Sequence, residues 1–312
     1  MKRVVPVVTG VGQCCWDTLA VVERWPAEDS KTEVGRWHEE GGGPVATALV
    51  ALARLGMPGR FLGVVGGDEL GPKIRRSLRD EGIEVGGLVT RPGAASQRAF
   101  IVVVPEQGSR TVFWQRPTGA PLQPAELPTG FLAGSRFLLL DGLLAEASLA
   151  AAERARAAGV TVMLDAGRDR PGMRELALQS DYLVAAERFL LDLGWDGSPD
   201  GFRTLAPTLG TPTVTVTCGS RGSLTWSDGQ LFSVPAFPVA VLDTTGAGDA
   251  FHGGYLYGLL QGWELDVTVA FAAGVAALAC RGLGGRATLP GLAEARAFLA
   301  VQGFNLPASP PG

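Results

Sequence analysis

The sequence predicts an α/β protein: a three-layer, doubly wound, mostly parallel sheet with a small β-sheet lid. Three observations predict it. Short apolar runs alternate with helical patterns of about a dozen residues, the rhythm of βαβ units covered on both faces. A chain of 312 residues, 46% of them hydrophobic, can bury one large core. Two segments break the rhythm with alternating polar and apolar residues, and these read as the lid.

Val4–Val8 reads as the first buried strand. Pro44–Leu55 reads as a helix, with proline in its first turn and Gly56 just past its end. Phe61–Val65 is a strand and Leu70–Asp80 an amphipathic helix. Phe137–Leu140 and Val160–Leu164 are strands around the alanine-rich helix Ala147–Ala158. Thr213–Thr217 is a strand followed by a glycine turn. Ala247–Leu260, Val267–Cys280 and Leu292–Val301 are helices, and Pro307–Gly312 is a loose tail. Thr32–Glu39 has a β-like pattern, and Ser96–Val104 with Arg110–Trp114 reads as a hairpin around Glu106, Gln107 and Gly108. The expectation is one domain over 1–312, with lid segments at about 13–40 and 93–117.

The net charge of -4 argues against a nucleic-acid surface, which needs a clustered basic face. The four cysteines form no C-x-x-C pair, and no disulfide framework is expected in so large and cysteine-poor a chain, which points to a reducing cytoplasm. The opening MKRVVPVVTG is too short in its apolar part for a signal peptide. No apolar run reaches the roughly 18 residues of a membrane span. Two histidines, His38 and His252, exclude a three-histidine metal site, and His252 is read as a packing or supporting residue. A dinucleotide-binding turn fails at Cys15, where G-x-G-x-x-G needs its third glycine. A P-loop fails because none of Lys2, Lys31 and Lys73 follows the required glycine loop.

Residues Asp243–Gly254 read DTTGAGDAFHGG. A glycine turn here leads straight into a helix. The first N–H groups of a helix lack internal acceptors, and the dipole adds positive charge, so Gly246, Ala247 and Gly248 can hold an anion. Asp249 sits in the same turn. Amides beside a carboxylate suit phosphoryl transfer to an alcohol: the amides hold the transferred group and the aspartate takes the hydroxyl proton. By itself such a turn could equally be a helix capped by Thr244 or Thr245, with Asp249 only complementing the dipole.

The full string closely resembles the signature of the ribokinase-type (PfkB) carbohydrate kinases, and the resemblance covers most of the chain. GGPVATALVALARLG from Gly42 is similar to the N-terminal signature of that family, VVGGDELG from Val64 to its V-G-x-D-x-x-G segment, and VTVTCGSRG from Val214 to its nucleotide-site strand and turn. The resemblance implies an ATP-dependent sugar kinase using Mg²⁺ and K⁺. It makes Asp249 the base and Gly246, Ala247 and Gly248 the anion hole. Asp17, Gly42 and Gly43 would bind sugar hydroxyls, with Thr47 where the family has asparagine. Thr217, Gly219 and Gly222 would line the nucleotide pocket, with Gly274 and Ala277 beside the adenine. Asp243, Thr245 and carbonyls near Gly284 would hold the monovalent cation. The N-x-x-E motif that organises Mg²⁺ is degraded in DYLVAAERF: Ala186 replaces its asparagine and Phe189 its last glutamate, while Glu187 remains to hold a metal-bound water.

Within the family the sulfofructose kinases look most similar, through GGGPVATA and GVAALACRGLGGRATLP. Lys31, Arg98, Arg116 and Arg168 are then candidates for an anionic substrate tail, Lys31 and Arg98 foremost. A nucleoside kinase of the same superfamily is the alternative, if Trp37, Phe100, Phe113 or Trp114 stacks on a base. A non-catalytic sugar sensor on this fold is a further one. The exposed apolar face of the lid, including Trp37 and Trp114, is expected to pair two copies into a homodimer.

Overall fold

The structure, a computed structural model, describes residues 6–107 and 109–307. The strands in chain order are β1 (Val8–Val11), β2 (Cys15–Val21), β3 (Arg36–Gly42), β4 (Gly59–Gly66), β5 (Glu84–Arg91), β6 (Arg98–Val104), β7 (Ser109–Gln115), β8 (Phe137–Leu140), β9 (Thr161–Ala166), β10 (Tyr182–Ala186), β11 (Thr213–Thr217), β12 (Ser223–Ser227) and β13 (Gln230–Val234). The helices are α1 (Pro44–Arg54), α2 (Leu70–Asp80), α3 (Ala145–Ala157), α4 (Met173–Leu178), α5 (Glu187–Asp192), α6 (Pro199–Leu205), α7 (Ala247–Gln261), α8 (Leu265–Ala279) and α9 (Leu292–Val301).

Nine strands form the main sheet in the order β13-β12-β11-β10-β9-β8-β1-β4-β5, parallel except for β12 and β13. Its central strands are wholly buried because helices cover both faces. The pleat sends Phe61, Leu139, Met163 and Val184 toward α1, α7 and α8, and Leu62, Leu138, Leu164 and Leu183 toward α3–α6. Strand order reverses at β1, which pairs with β4 on one side and β8 on the other. The crevice beyond the carboxyl ends of β1 and β8 is therefore the place where this architecture receives ligands.

The lid is a four-stranded sheet, β3-β2-β6-β7. Its register sorts the side chains. Glu40, Asp17, Ala99 and Trp114 share one row on the face toward the body, and Trp37, Phe100 and Phe113 lie on the opposite face. On the inner face Leu19, Ile101 and Val103 pack on Leu283 of the body.

Some expectations shift. Among the described residues the first strand begins at Val8, where pairing with Gly59 and Phe137 starts, and Pro6 and Val7 precede it. Val4, Val5 and Lys2, the expected turn residue Gly108 and tail residues 308–312 lie outside the described residues. Thr32–Gly35 stays irregular and the strand runs on to Gly42. Trp37 and Trp114, expected on one apolar face, lie on opposite faces.

Candidate active site

Asp17 and Gly42 face each other across the start of the lid. A side chain on Gly42 would collide with the Asp17 carboxylate, and one on Gly43 (φ +104°) would collide with the Gln13 backbone. Glycine is required here because the strands close on the pocket. Burial pushes the Asp17 carboxyl up to about 6. The thiol of Cys15, 3.0 Å from Oδ1, and the charge of Arg286 hold it down, while Glu40 pushes it up. Below lies Asp141, at the end of β8. It accepts from the backbone N–H groups of Gln13 (2.7 Å) and Leu143 (2.9 Å), and burial raises its carboxyl to about 7.

Asp249 stands in the first turn of α7. Gly246 precedes that helix with φ +72°, and no side chain caps the helix, so its first amides are left for an anion. A Cβ on Gly246 would lie 2.5 Å from Gly285 Cα, whereas one on Gly248 would meet open space. Asp249 is walled by protein yet partly open to the cleft. Desolvation, then the charge of Asp165, hold its carboxyl well above the usual carboxylate range; Arg286 and Arg110 oppose them. A carboxyl raised in this way is suited to take a proton. His252 sits one turn on, with Nδ1 2.7 Å from the Gly248 carbonyl, Nε2 3.2 Å from that of Val184 and 3.6 Å from Asp165 Oδ1. It supports the turn from behind, as expected.

Beside the turn opens a cavity of about 490 Å³. Thr217, Gly219, Gly222, Ala247, Gly248, Phe237, Val241 and Ala277 are among the residues that line it. Glycine at 222 (φ +84°) lets the turn pass against the Val234 backbone. The α8 wall is Ala273, Ala276, Ala277 and Cys280, one helical stripe. Gly274 lies one step round the helix and packs on Leu299 of α9, so it does not line the cavity.

Asp243, Thr245 and Gly284 come together. Asp243 Oδ1 accepts from the N–H (2.9 Å) and hydroxyl (2.8 Å) of Thr245, and Oδ2 from the Gly284 N–H (2.9 Å). Glu187 faces the same end of the sheet, but its carboxylate is bound by Arg221. The phosphate-side metal role expected for it requires Arg221 to give way.

Three expected substrate residues are placed elsewhere. Arg98 is on the outer face of the lid, its Nε 3.0 Å from Gln115 Oε1, because strand alternation opposes it to Asp17. Lys31 is exposed in the 22–35 loop, whose Val34 packs on the outer face. Thr47 is 1% exposed, and its hydroxyl accepts from Arg286 rather than facing the pocket. Arg168 is bound to Asp192 at 2.6 Å. Arg116, one residue past β7, has its guanidinium 4.9 Å from the ring of Trp114.

Two functional candidates escaped the sequence. Arg110, on the inner face of β7, donates to Thr244 ahead of the anion-binding turn. Arg286 sits in the 280–291 loop, buried behind Gly42. No helix among the described residues is long and apolar enough to cross a membrane.

Comparison with known proteins gives a consistent picture. The pfkB family carbohydrate kinase pattern matches residues 7–291. The chain is 29% identical over 296 residues to the ATP-dependent ribose-1-phosphate kinase of Halopiger xanaduensis, covering 94% of this chain and 97% of that one. It is 34% identical over 244 residues to a fructokinase of Klebsiella pneumoniae, covering 72% and 78%. The ribokinase structure of Thermotoga maritima superposes with a TM-score of 0.80 at 25% identity, over 95% of this chain and 100% of the other.

Proposed function

Because this chain belongs to the pfkB family of carbohydrate kinases, we propose that it moves the γ-phosphoryl group of ATP to a hydroxyl of a sugar or sugar derivative with Asp249 as the general base. The acceptor hydroxyl gives its proton to the Asp249 carboxylate as its oxygen attacks the γ-phosphorus, and ADP leaves in line. The observation that carries this reading is Asp249 in the first turn of a helix whose amino end no side chain caps. The Gly246–Gly248 amides face the transferred group there, with the nucleotide cavity on one side and Asp17 on the other. Mg²⁺ bound with the phosphates would offset their charge, with Glu187 reached through water once Arg221 lets go.

Three finer readings go with it. The chain is one cytoplasmic kinase domain whose lid closes over the sugar. The loop of Asp243, Thr245 and Gly284 takes K⁺ on its carbonyls. Two copies pair through the outer face of the lid, where Trp37 is 56%, Phe100 38% and Phe113 51% exposed; contiguous exposed aromatics mark an interaction face.

The acceptor class is read from the inner face of the lid. Trp114 shares the row of Asp17 and is 49% exposed, so it can stack on a nucleobase or on a sugar ring. This placement favours a nucleoside as the second reading. A coupled ADP-release screen decides: ribose, fructose, ribose 1-phosphate, sulfofructose, sugar acids, inosine and adenosine. Turnover on a sugar supports the first reading, turnover confined to nucleosides the second, and ADP release independent of any acceptor defeats both.

A further inference from the structure

We propose that Arg286 is a positioning residue that fixes the sugar-binding edge of the pocket to the body of the protein. The inference rests on the kinase reading above. Arg286 is 5% exposed. Its guanidinium reaches three elements at once: Nε donates to Thr47 Oγ1 of α1 (3.2 Å), Nη1 to Ser77 Oγ of α2 (3.3 Å), and Nη2 to the Gly42 carbonyl at the end of β3 (3.3 Å). Its own N–H donates to Glu40 Oε1 of β3 (3.1 Å), and its carbonyl accepts from Arg54 Nη1 of α1 (2.7 Å). All three side-chain bonds go to neutral oxygens. Burying a guanidinium on such partners is costly, and these three bonds alone do not account for the charge.

Position explains it. Gly42 is where the lid strand meets the body, and the space a Cβ would fill there is occupied by the Asp17 carboxylate. Holding the Gly42 carbonyl therefore fixes the floor against which Asp17 is seated. Burial lowers the affinity of the guanidinium for its proton, and Glu40, Cys15, Asp17 and Cys14 act against that, so its charge also offsets the carboxyls gathered at this edge of the pocket. The guanidinium serves α1, α2 and β3 from three separate nitrogens, whereas a lysine ammonium carries its three donors on one atom and cannot span the same acceptors.

The test uses the full chain and two variants. Arg286→Lys keeps the charge and loses the fork. Its KM for the best acceptor of the screen should rise about tenfold or more, while its KM for ATP stays within about twofold and kcat falls less than KM rises. Arg286→Met, followed by hydrogen exchange without any acceptor, should lose protection over residues 39–48 and keep it over β11 and β12. Arg286→Lys with a wild-type acceptor KM, or exchange that rises evenly over the whole chain, overturns the proposal. Should the wild type turn over no acceptor, the kinase reading fails on its own, and the exchange pattern still decides for or against Arg286. Should Arg286→Met fail to fold, Arg286→Lys decides by its exchange and by its kinetics.

Discussion

Asp249→Asn separates chemistry from architecture. The substitution keeps the shape of the side chain and removes the charge that accepts a proton. General-base catalysis is worth about 10²–10⁴-fold, so kcat should fall by that order. The structure also fixes the sign of the stability change. Desolvation and the neighbouring charges of Asp165 and Asp17 oppose ionisation of Asp249, and Arg286 and Arg110 offset only part of that. Removing the charge should therefore stabilise the fold, by about 0.5–2 kcal/mol. In a chain of this size that is a rise of about 1–3 °C in Tm. A carboxylate that merely complemented the helix dipole would do the reverse, with loss of about 0.3–1 kcal/mol and turnover intact. Steady-state ADP release at saturating ATP and a calorimetric melt on the one variant tell these apart. Near-wild-type kcat with a lowered Tm refutes the base assignment and most of the mechanism with it.

Asp141 is one of several raised carboxyls, with Asp17, Asp165 and Asp249, that make stability fall as pH rises from about 4 to 7. Its folded carboxyl titrates near 7 and an unfolded one near 3.9, so the unfolded chain loses its proton first and stability falls as pH rises through that window, by about 4 kcal/mol at most. Asp141→Asn should flatten this decline in a Tm-versus-pH series, at the cost of one backbone hydrogen bond at every pH. An unchanged slope counts against the buried charge. Phe100→Glu on the outer face should give a monomer in sedimentation at micromolar concentration while its acceptor KM holds; a wild type that is itself monomeric removes the paired lid. Replacing K⁺ with a large organic cation should lower kcat, and equal rates in potassium, sodium and tetramethylammonium refute the cation loop.

Much of this was legible in the chain. Pro44 and the run to Arg54, the amphipathic Leu70–Asp80 and the apolar Phe137–Leu140 announce themselves by period and punctuation, because local preference and burial agree there. The turn at Gly246 was legible for a similar reason: glycine, helix start and carboxylate are neighbours in sequence. What stayed hidden depends on distant pairing. Whether Arg98 faces the sugar is decided by its register against Trp16, far away in the chain, and one step of register reverses the answer. Gly274 and Ala277 both look like small residues beside a ligand; only the packing of α9 shows which one is spent on Leu299. Arg286 carries no local pattern at all. It matters because a loop near the end of the chain returns to Gly42, near its beginning.

The two-sided lid has an evolutionary consequence. At the Trp114 end of β6 and β7, alternate side chains face the proposed acceptor on one surface and the proposed second copy on the other, while further along Ile101 and Val103 pack on Leu283 and Val102 and Val104 on Val22 and Val34. Point substitutions can then drift the acceptor preference of Trp114 and its row without disturbing assembly, and the reverse. A single-residue insertion or deletion within either strand exchanges the two sets at a stroke. Homologous lids are accordingly expected to tolerate wide variation in residue type while keeping strand length fixed, with length changes confined to segments such as 22–35.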